Sequence, residues 1–273
     1  VRKIVVSTIF IVLVFVVYLT IDTINSHLKV NSSANSEVDF TGIEAITKLN
    51  VPTYVKRYDW TKEGQMKITE VFIPVKTVKQ LPELPHGCEI TSLTSILNTY
   101  GYEVSKTEMA DQYLPKQSFS TKNKRRYGAN PYKAYAGNPR SETGGFFSYA
   151  PPIINAAKKY SDAAGGDIQT LDLSGSKKED IIKQLNKGTP VLVWVTLDLG
   201  KPKLNYSWYF HDTGEKFTAP TNLHAVVLNG YDEKKVHVMN PLVGQMTYDK
   251  NAFFKSYQEL GSHAMTVAVK SGN

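Results

Sequence analysis

The sequence predicts an α+β fold: a helical first part carries the lone cysteine, and an antiparallel sheet in the second part carries a histidine and an asparagine. Three observations predict it. Ile90, Leu93, Ile96, Leu97 and Tyr100 recur at helical spacing just after Cys88, and Gly101 follows as a stop signal. The run TPVLVWVTL at 189–197 is continuously apolar and β-branched, as a central strand is. Two further apolar runs, 224–229 and 236–240, flank the polar turn GYDEKK, which is a hairpin signal.

Taken in order, the chain opens with Arg2 and Lys3 before an uncharged run at 4–21, IVVSTIFIVLVFVVYLTI. Its length matches a bilayer crossing, so we expect a single-pass membrane anchor over 1–21, oriented N-in by its basic flank. A cleaved signal peptide is the competing reading. It lacks a small-x-small site close behind the apolar core; the first candidate is Ser32-Ser33-Ala34. Residues 22–50 read as a polar tether with a short helix over 41–49, and 51–270 as the globular domain. A short extended segment precedes Gln80. Pro82 and Pro85 forbid a regular helix through 81–87. Ser105 with Glu108 forms a capping box that starts a second helix.

Residues 115–149 are long, basic, aromatic and rich in Gly and Pro. They read as a functional loop with little regular structure, a wall of a substrate cleft. PPIINAAKKY opens a helix on prolines. SKKEDIIKQLNKG is an amphipathic helix stopped by Gly188, DKNAFFKSYQEL a last helix and AMTVAVK a last strand.

Composition removes several function classes. The net charge of +7 is spread as isolated lysines, and the densest run, KNKRR at 122–126, reads as a solvated loop. No recognition motif accompanies it, so nucleic acid is not expected as a partner. One cysteine rules out an intramolecular disulfide and a Cys-rich zinc site. The six histidines lack metal-protease spacing, and no phosphate-binding loop is present, so no metal or cofactor is expected.

The remaining chemistry converges on Cys88. It lies off the apolar stripe of its helix, on the side of Thr91, Ser92 and Ser95. A helix N-terminus there would lower the thiol pKa; a buried structural cysteine is the alternative. If the hairpin turn centres on Asp232, His224 and Asn240 sit directly opposite each other and project from one face. The carboxamide would then fix the imidazole and leave its other nitrogen for a thiol. The argument requires that the turn be no longer by one residue. Gln80 and the Cys88 amide could hold an oxyanion. Cysteine, then histidine, then asparagine is the chain order of a papain-type triad.

Four stretches resemble a known family: QLPELPHGCEITSLTSILNTYG, NPYKAYAGNPRSETGGFFSYAPPI, GTPVLVWVTL and LHAVVLNGYDEKKVHVMNPLVG. They are similar to papain-like cysteine peptidases related to the bacteriocin double-glycine-leader peptidases, family thirty-nine of clan CA, in its stand-alone extracytoplasmic Gram-positive branch. The resemblance spans about 51–270. It implies a papain-like α+β fold, with Gln80 in the oxyanion hole, Cys88 as nucleophile and His224 as base. The family usually has Asp where this chain has Asn240. Asn serves in papain-like enzymes generally, although it removes a charge that would raise the histidine's basicity. Glu89 matches the family's acidic residue after the cysteine and reads either as a first-turn helix charge or as a substrate contact. His86 replaces a small residue and reads as a rim residue. Trp194 and Trp208 read as core, and His211, His237 and His263 as structural.

The expected activity is amide hydrolysis of a peptide or protein through a Cys88 thioester, by a thiolate–imidazolium pair, at the outer face of a membrane. An acyltransferase and a catalytically inactive tethered binding protein are the alternatives. The family's transporter-fused members process exported leaders, a substrate that does not carry over to a chain without a transporter segment.

Overall fold

The computed structural model describes residues 55–166 and 168–269; the expected anchor and tether lie outside the described residues. The described chain begins with an antiparallel hairpin, β1 (Val55–Trp60) and β2 (Met66–Phe72). An irregular segment leads to α1 (Cys88–Thr99). Next comes α2 (Lys106–Glu108), where the Ser105 side chain accepts the Glu108 N–H as its capping pattern predicts. It runs on as a π-helical turn, Met109–Tyr113.

The aromatic, basic stretch holds four short strands, β3 (Lys116–Gln117), β4 (Ser120–Lys122), β5 (Arg125–Gly128) and β6 (Tyr135–Ala136). KNKRR is therefore exposed, as a solvated loop would be, but it forms the tip and arms of a small hairpin. Then follow α3 (Ala150–Ala164), β7 (Ile168–Asp172), α4 (Lys178–Asn186), β8 (Val191–Thr196), β9 (Leu204–Phe210) and β10 (Lys216–Pro220). The chain closes with β11 (Leu223–Tyr231), β12 (Lys235–Asn240), β13 (Gly244–Asp249), α5 (Lys250–Glu259) and β14 (Ala264–Val269).

The main sheet has eight strands along the path β1-β2-β11-β8-β14-β7, with β12 joining β11 to β13. β8 is buried at all six positions and is packed by α1, α4 and α5, which is why its sequence is apolar without alternation. A second sheet, β10-β9-β5-β4, is built largely from aromatic strands and the basic hairpin.

α1 is enclosed nearly all round: of its twelve residues only Asn98 is not buried. Its polar side therefore faces protein, not water. The Ser92 hydroxyl donates to the Ala225 carbonyl at 3.3 Å, and Thr94 and Thr99 donate to carbonyls four residues back in the helix. The Ser92 bond ties α1 to β11 at Ala225, the residue after His224.

The hairpin β11–β12 differs from the simple register. Tyr231 pairs with Val236 and Gly230 with His237, so the turn is longer than one centred on Asp232. Carried on unbroken, that ladder would set Val227 against Asn240 and turn His224 and Asn240 to opposite faces. A bulge at Asn229 prevents this: beyond it Leu228 pairs with Val238 and Val227 with Met239. Asn240 thus comes level with Val226, on the face of His224 and one diagonal step from it. The expected shared face is found; the expected directly opposed pairing is not.

The bulged residue is pinned. Asn229 is fully buried, its Nδ2 donates to the Ile73 carbonyl at 2.8 Å and to Gln245 Oε1 at 3.3 Å, and its own carbonyl accepts the Ile73 N–H at 2.7 Å. Asn229→Ala is expected to lower unfolding free energy by about 1–3 kcal/mol in urea denaturation, because it strands the Ile73 carbonyl in the interior.

Candidate active site

Gly87 caps the start of α1 and leaves Cys88 as its first residue. A side chain at Gly87 would put its Cβ 2.6 Å from the Leu84 Cβ, so the turn into the helix requires glycine. The carbonyl of His86 accepts the buried Tyr135 hydroxyl at 2.6 Å, which ties this turn to the long aromatic stretch. Upstream, Lys106 Nζ donates to the carbonyls of Lys79, Gln80 and Leu81 at 2.5, 3.0 and 3.3 Å and pairs with Glu83. The Gln80 N–H donates to the Pro241 carbonyl at 2.8 Å, joining this segment to the end of β12.

Cys88, His224 and Gln80 line one cleft of about 460 Å³, together with His86, Arg126, Phe146 and Tyr206. Two larger hollows along β1, β2 and Lys250 hold neither thiol nor imidazole, so volume does not identify the site. The residues of 115–149 that line the cleft make this stretch a wall, as its composition predicts. Phe146 stacks on Tyr206 from β9 at 5.1 Å, giving that wall an aromatic surface.

His224 Nε2 lies 2.9 Å from Asn240 Oδ1. The same Oδ1 accepts the Leu242 N–H at 2.9 Å, while Asn240 Nδ2 faces the Tyr248 hydroxyl at 3.2 Å and Met246 Sδ at 3.5 Å. The backbone donor fixes the carboxamide's orientation. Its oxygen can only accept, so Nε2 carries the proton and Nδ1 keeps the lone pair. Burial lowers the His224 pKa and so favours the neutral ring; the Asn240 bond partly offsets it by raising the pKa. Gln80 lines the cleft, and its Nε2 donates one N–H to the Pro85 carbonyl at 2.8 Å, leaving the amide a second N–H.

The thiol's surroundings differ from those of a solvent-exposed helix terminus. Burial pushes the Cys88 pKa up, and the neighbouring Glu89 carboxyl adds to the rise. Glu89 is fully buried, not a solvated first-turn charge. Its Oε2 accepts the Cys88 S–H at 3.4 Å and its Oε1 the Ser148 N–H at 3.0 Å. The Ser148 carbonyl in turn accepts Trp194 Nε1–H at 2.9 Å. Desolvation and the Glu89 carboxyl thus act against the helix terminus, which on its own lowers a thiol pKa.

The other singled-out residues fall where their types predict. Trp194 and Trp208 are core. His86 is on the cleft rim, its Nε2 donating to the Glu142 carbonyl at 2.9 Å. His237 meets Phe72 edge-on, His211 bonds the Ser118 carbonyl, and His263 packs on Tyr149 at 3.9 Å; none of the three lines the cleft.

Residues 72–265 match the "Peptidase_C39 like family". The chain belongs to the peptidase C39-like family. One similar relative is an uncharacterised protein of Bacillus subtilis (strain 168), YvpB, 30% identical over 188 residues that cover 68% of this chain and 70% of that protein. A crystal structure of a Bacillus anthracis protein, provisionally named a C39-like peptidase, matches with a TM-score of 0.63 at 28% identity, over 72% of this chain and 96% of that one. The C39-like match carries the α+β fold and implies a peptide substrate. Among the described residues no helix is long and apolar enough to cross a membrane, and no acidic, histidine or cysteine cluster could hold a metal.

Within this C39-like domain, Glu89 is the functional candidate that the sequence under-weighted. The only signal was its position directly after the cysteine. Burial raises its pKa to about 7, with the Ser148 N–H and the thiol working the other way. An acid raised in the folded state contributes its full stability below its unfolded pKa, near 4.3, and loses it as pH rises through the folded value. Glu89→Gln removes that titration. Between pH 4.5 and 8 the wild type is expected to lose about 3 kcal/mol of stability relative to Glu89→Gln, read by denaturant unfolding. The same variant is expected to alkylate faster at Cys88 with iodoacetamide at pH 8, since the carboxylate no longer opposes thiolate formation.

Proposed function

We propose that the domain is a cysteine peptidase that hydrolyses an amide bond through a thioester on Cys88. One observation carries the reading: Cys88 and His224 line the same cleft, and the imidazole's far nitrogen is held by Asn240. That leaves Nδ1 as an acceptor for the thiol proton.

In the proposed reaction, His224 Nδ1 takes the Cys88 proton as sulfur attacks the substrate carbonyl. His224 works as a general base during attack, a role that burial of both groups favours over a preformed ion pair. The oxyanion is held by the free N–H of Gln80 Nε2 and by the Cys88 backbone N–H, which as the first helical residue has no partner within the helix. The imidazolium then protonates the leaving amine and the C–N bond breaks. Water adds to the thioester, His224 takes its proton, and the carboxylate product leaves with the thiol restored. Asn240 keeps the ring in the productive tautomer and stabilises the imidazolium through Oδ1.

The uncharged run at 4–21 supports a further part of the proposal, a single-pass anchor holding the domain outside the membrane. Protection of the domain from added protease in intact cells would contradict it; cleavage is the expected result. The binding-protein alternative draws on the thiol's bond to Glu89. An acyltransferase would share every step up to the thioester, and product masses with and without added amine distinguish it.

Cys88→Ala is expected to abolish peptide turnover by the purified domain, while Gln80→Ala is expected to lower kcat by about 10²–10³ with a smaller change in KM. Normal turnover by Cys88→Ala would refute the reading. The acid limb of kcat/KM is expected below pH 6.5, since His224 is the base and burial lowers its pKa.

A further inference from the structure

The hairpin β4–β5 carries Lys122, Lys124, Arg125 and Arg126, turned by Asn123 and Lys124 with φ of 51° and 60°. Among the described residues none of these four cations is in an ion pair. Arg126 is the one that reaches the active-site cleft. Its guanidinium lies 4.3 Å from the Phe119 ring centroid and 5.8 Å from that of Tyr206. Aromatic contact positions the group, and among the described residues its N–H groups have no hydrogen-bond or ion-pair partner, so they remain for an acceptor.

The same side chain borders a neighbouring hollow of about 420 Å³, so Arg126 is shared by the hollow and the cleft. The hollow is lined by Ser118, Ser120, Thr121, Asn138 and Ser141 and by no carboxylate. Hydroxyls, an amide and one unpaired guanidinium are the donor set that receives an anion. The cleft's own lining carboxylate, Glu142, makes no ion pair with Arg126, and its main-chain carbonyl is taken by His86. The hairpin's other three cations and the chain's net charge of +7 act in the same direction, drawing in acidic segments.

We propose that Arg126 and the polar hollow beside it form a subsite for a carboxylate side chain of the substrate, so that the enzyme selects peptide segments bearing Asp or Glu close to the scissile bond. The inference rests on the peptidase reading above. The carboxylate is held by paired N–H···O bonds from the guanidinium, with the hollow's hydroxyls on its remaining lone pairs.

Two readouts separate this inference from the reading beneath it. A proteome-derived peptide library is digested with wild-type protein and with Arg126→Gln, and the cleaved sites are mapped by mass spectrometry. The same library is captured on immobilised Cys88→Ala protein, with and without Arg126→Gln. Wild-type sites are expected to be enriched in Asp or Glu at one fixed position. A synthetic pair differing only by Glu or Gln there is expected to differ about ten- to hundredfold in kcat/KM, as for loss of a charge-assisted hydrogen bond. Arg126→Gln should collapse that ratio, Arg126→Glu should shift preference to Lys, and capture should show the same acid selectivity without turnover. Equal cleavage of the two peptides, or an Arg126→Gln loss common to both, overturns the subsite and leaves the peptidase intact. Acid-selective capture with no cleavage by wild type overturns the peptidase and leaves the subsite. Neither cleavage nor selective capture overturns both.

Discussion

The hydrogen bond from His224 Nε2 to Asn240 Oδ1 is the contact to which the rest of the site is fitted. It joins adjacent strands, so it depends on backbone parity before it depends on side-chain chemistry. Parity in turn depends on one extra residue, Asn229, whose bulge returns Asn240 to the face of His224. The bulge is held by bonds to the end of β2 and to Gln245 on β13, so two strands outside the hairpin help set the geometry of a single imidazole. Leu242, just past Pro241, then locks the carboxamide, and Pro241 itself accepts the Gln80 N–H. One short segment after β12 thus organises both the base and the proposed oxyanion donor.

A second constraint is the polar burial around the nucleophile. Cys88 begins a helix enclosed by protein, and its neighbour Glu89 is a fully buried carboxyl bonded to the thiol and to the Ser148 N–H. Such an arrangement costs stability when the carboxyl ionises. It also opposes thiolate formation, the reverse of what a helix N-terminus alone does for a thiol. In the proposed mechanism these surroundings favour the protonated sulfur before attack, and His224 takes the proton as the substrate carbonyl is attacked.

Much of this was legible in the chain, for identifiable reasons. α1, α4, α5 and β8 announce themselves by period, α2 by its Ser105 cap, and α1 and α4 by the stop glycines Gly101 and Gly188. The cysteine, histidine, asparagine and Gln80 were readable because their types and order are chemically restrictive. The register of β11–β12 was not, because a bulge leaves no mark in a run such as HAVVLNGY. β1 was silent because five of its six residues are exposed and it has no apolar alternation. The surroundings of Glu89 were not legible, because a first-turn acid is ordinarily solvated; only packing shows that α1 has no solvent face at its start. Arg126 looked like one member of a charged run until the fold turned that run into a hairpin arm at the cleft.

The measurement that bears most directly on the central claim is the intact mass of the domain, rapidly quenched at acid pH during turnover of a cleavable peptide. The account predicts an adduct of the acyl half of the peptide, mapped to Cys88, lost in Cys88→Ser and weakened in step with turnover in Asn240→Ala. Turnover with no adduct at Cys88, or an adduct that persists unchanged without His224, would contradict it.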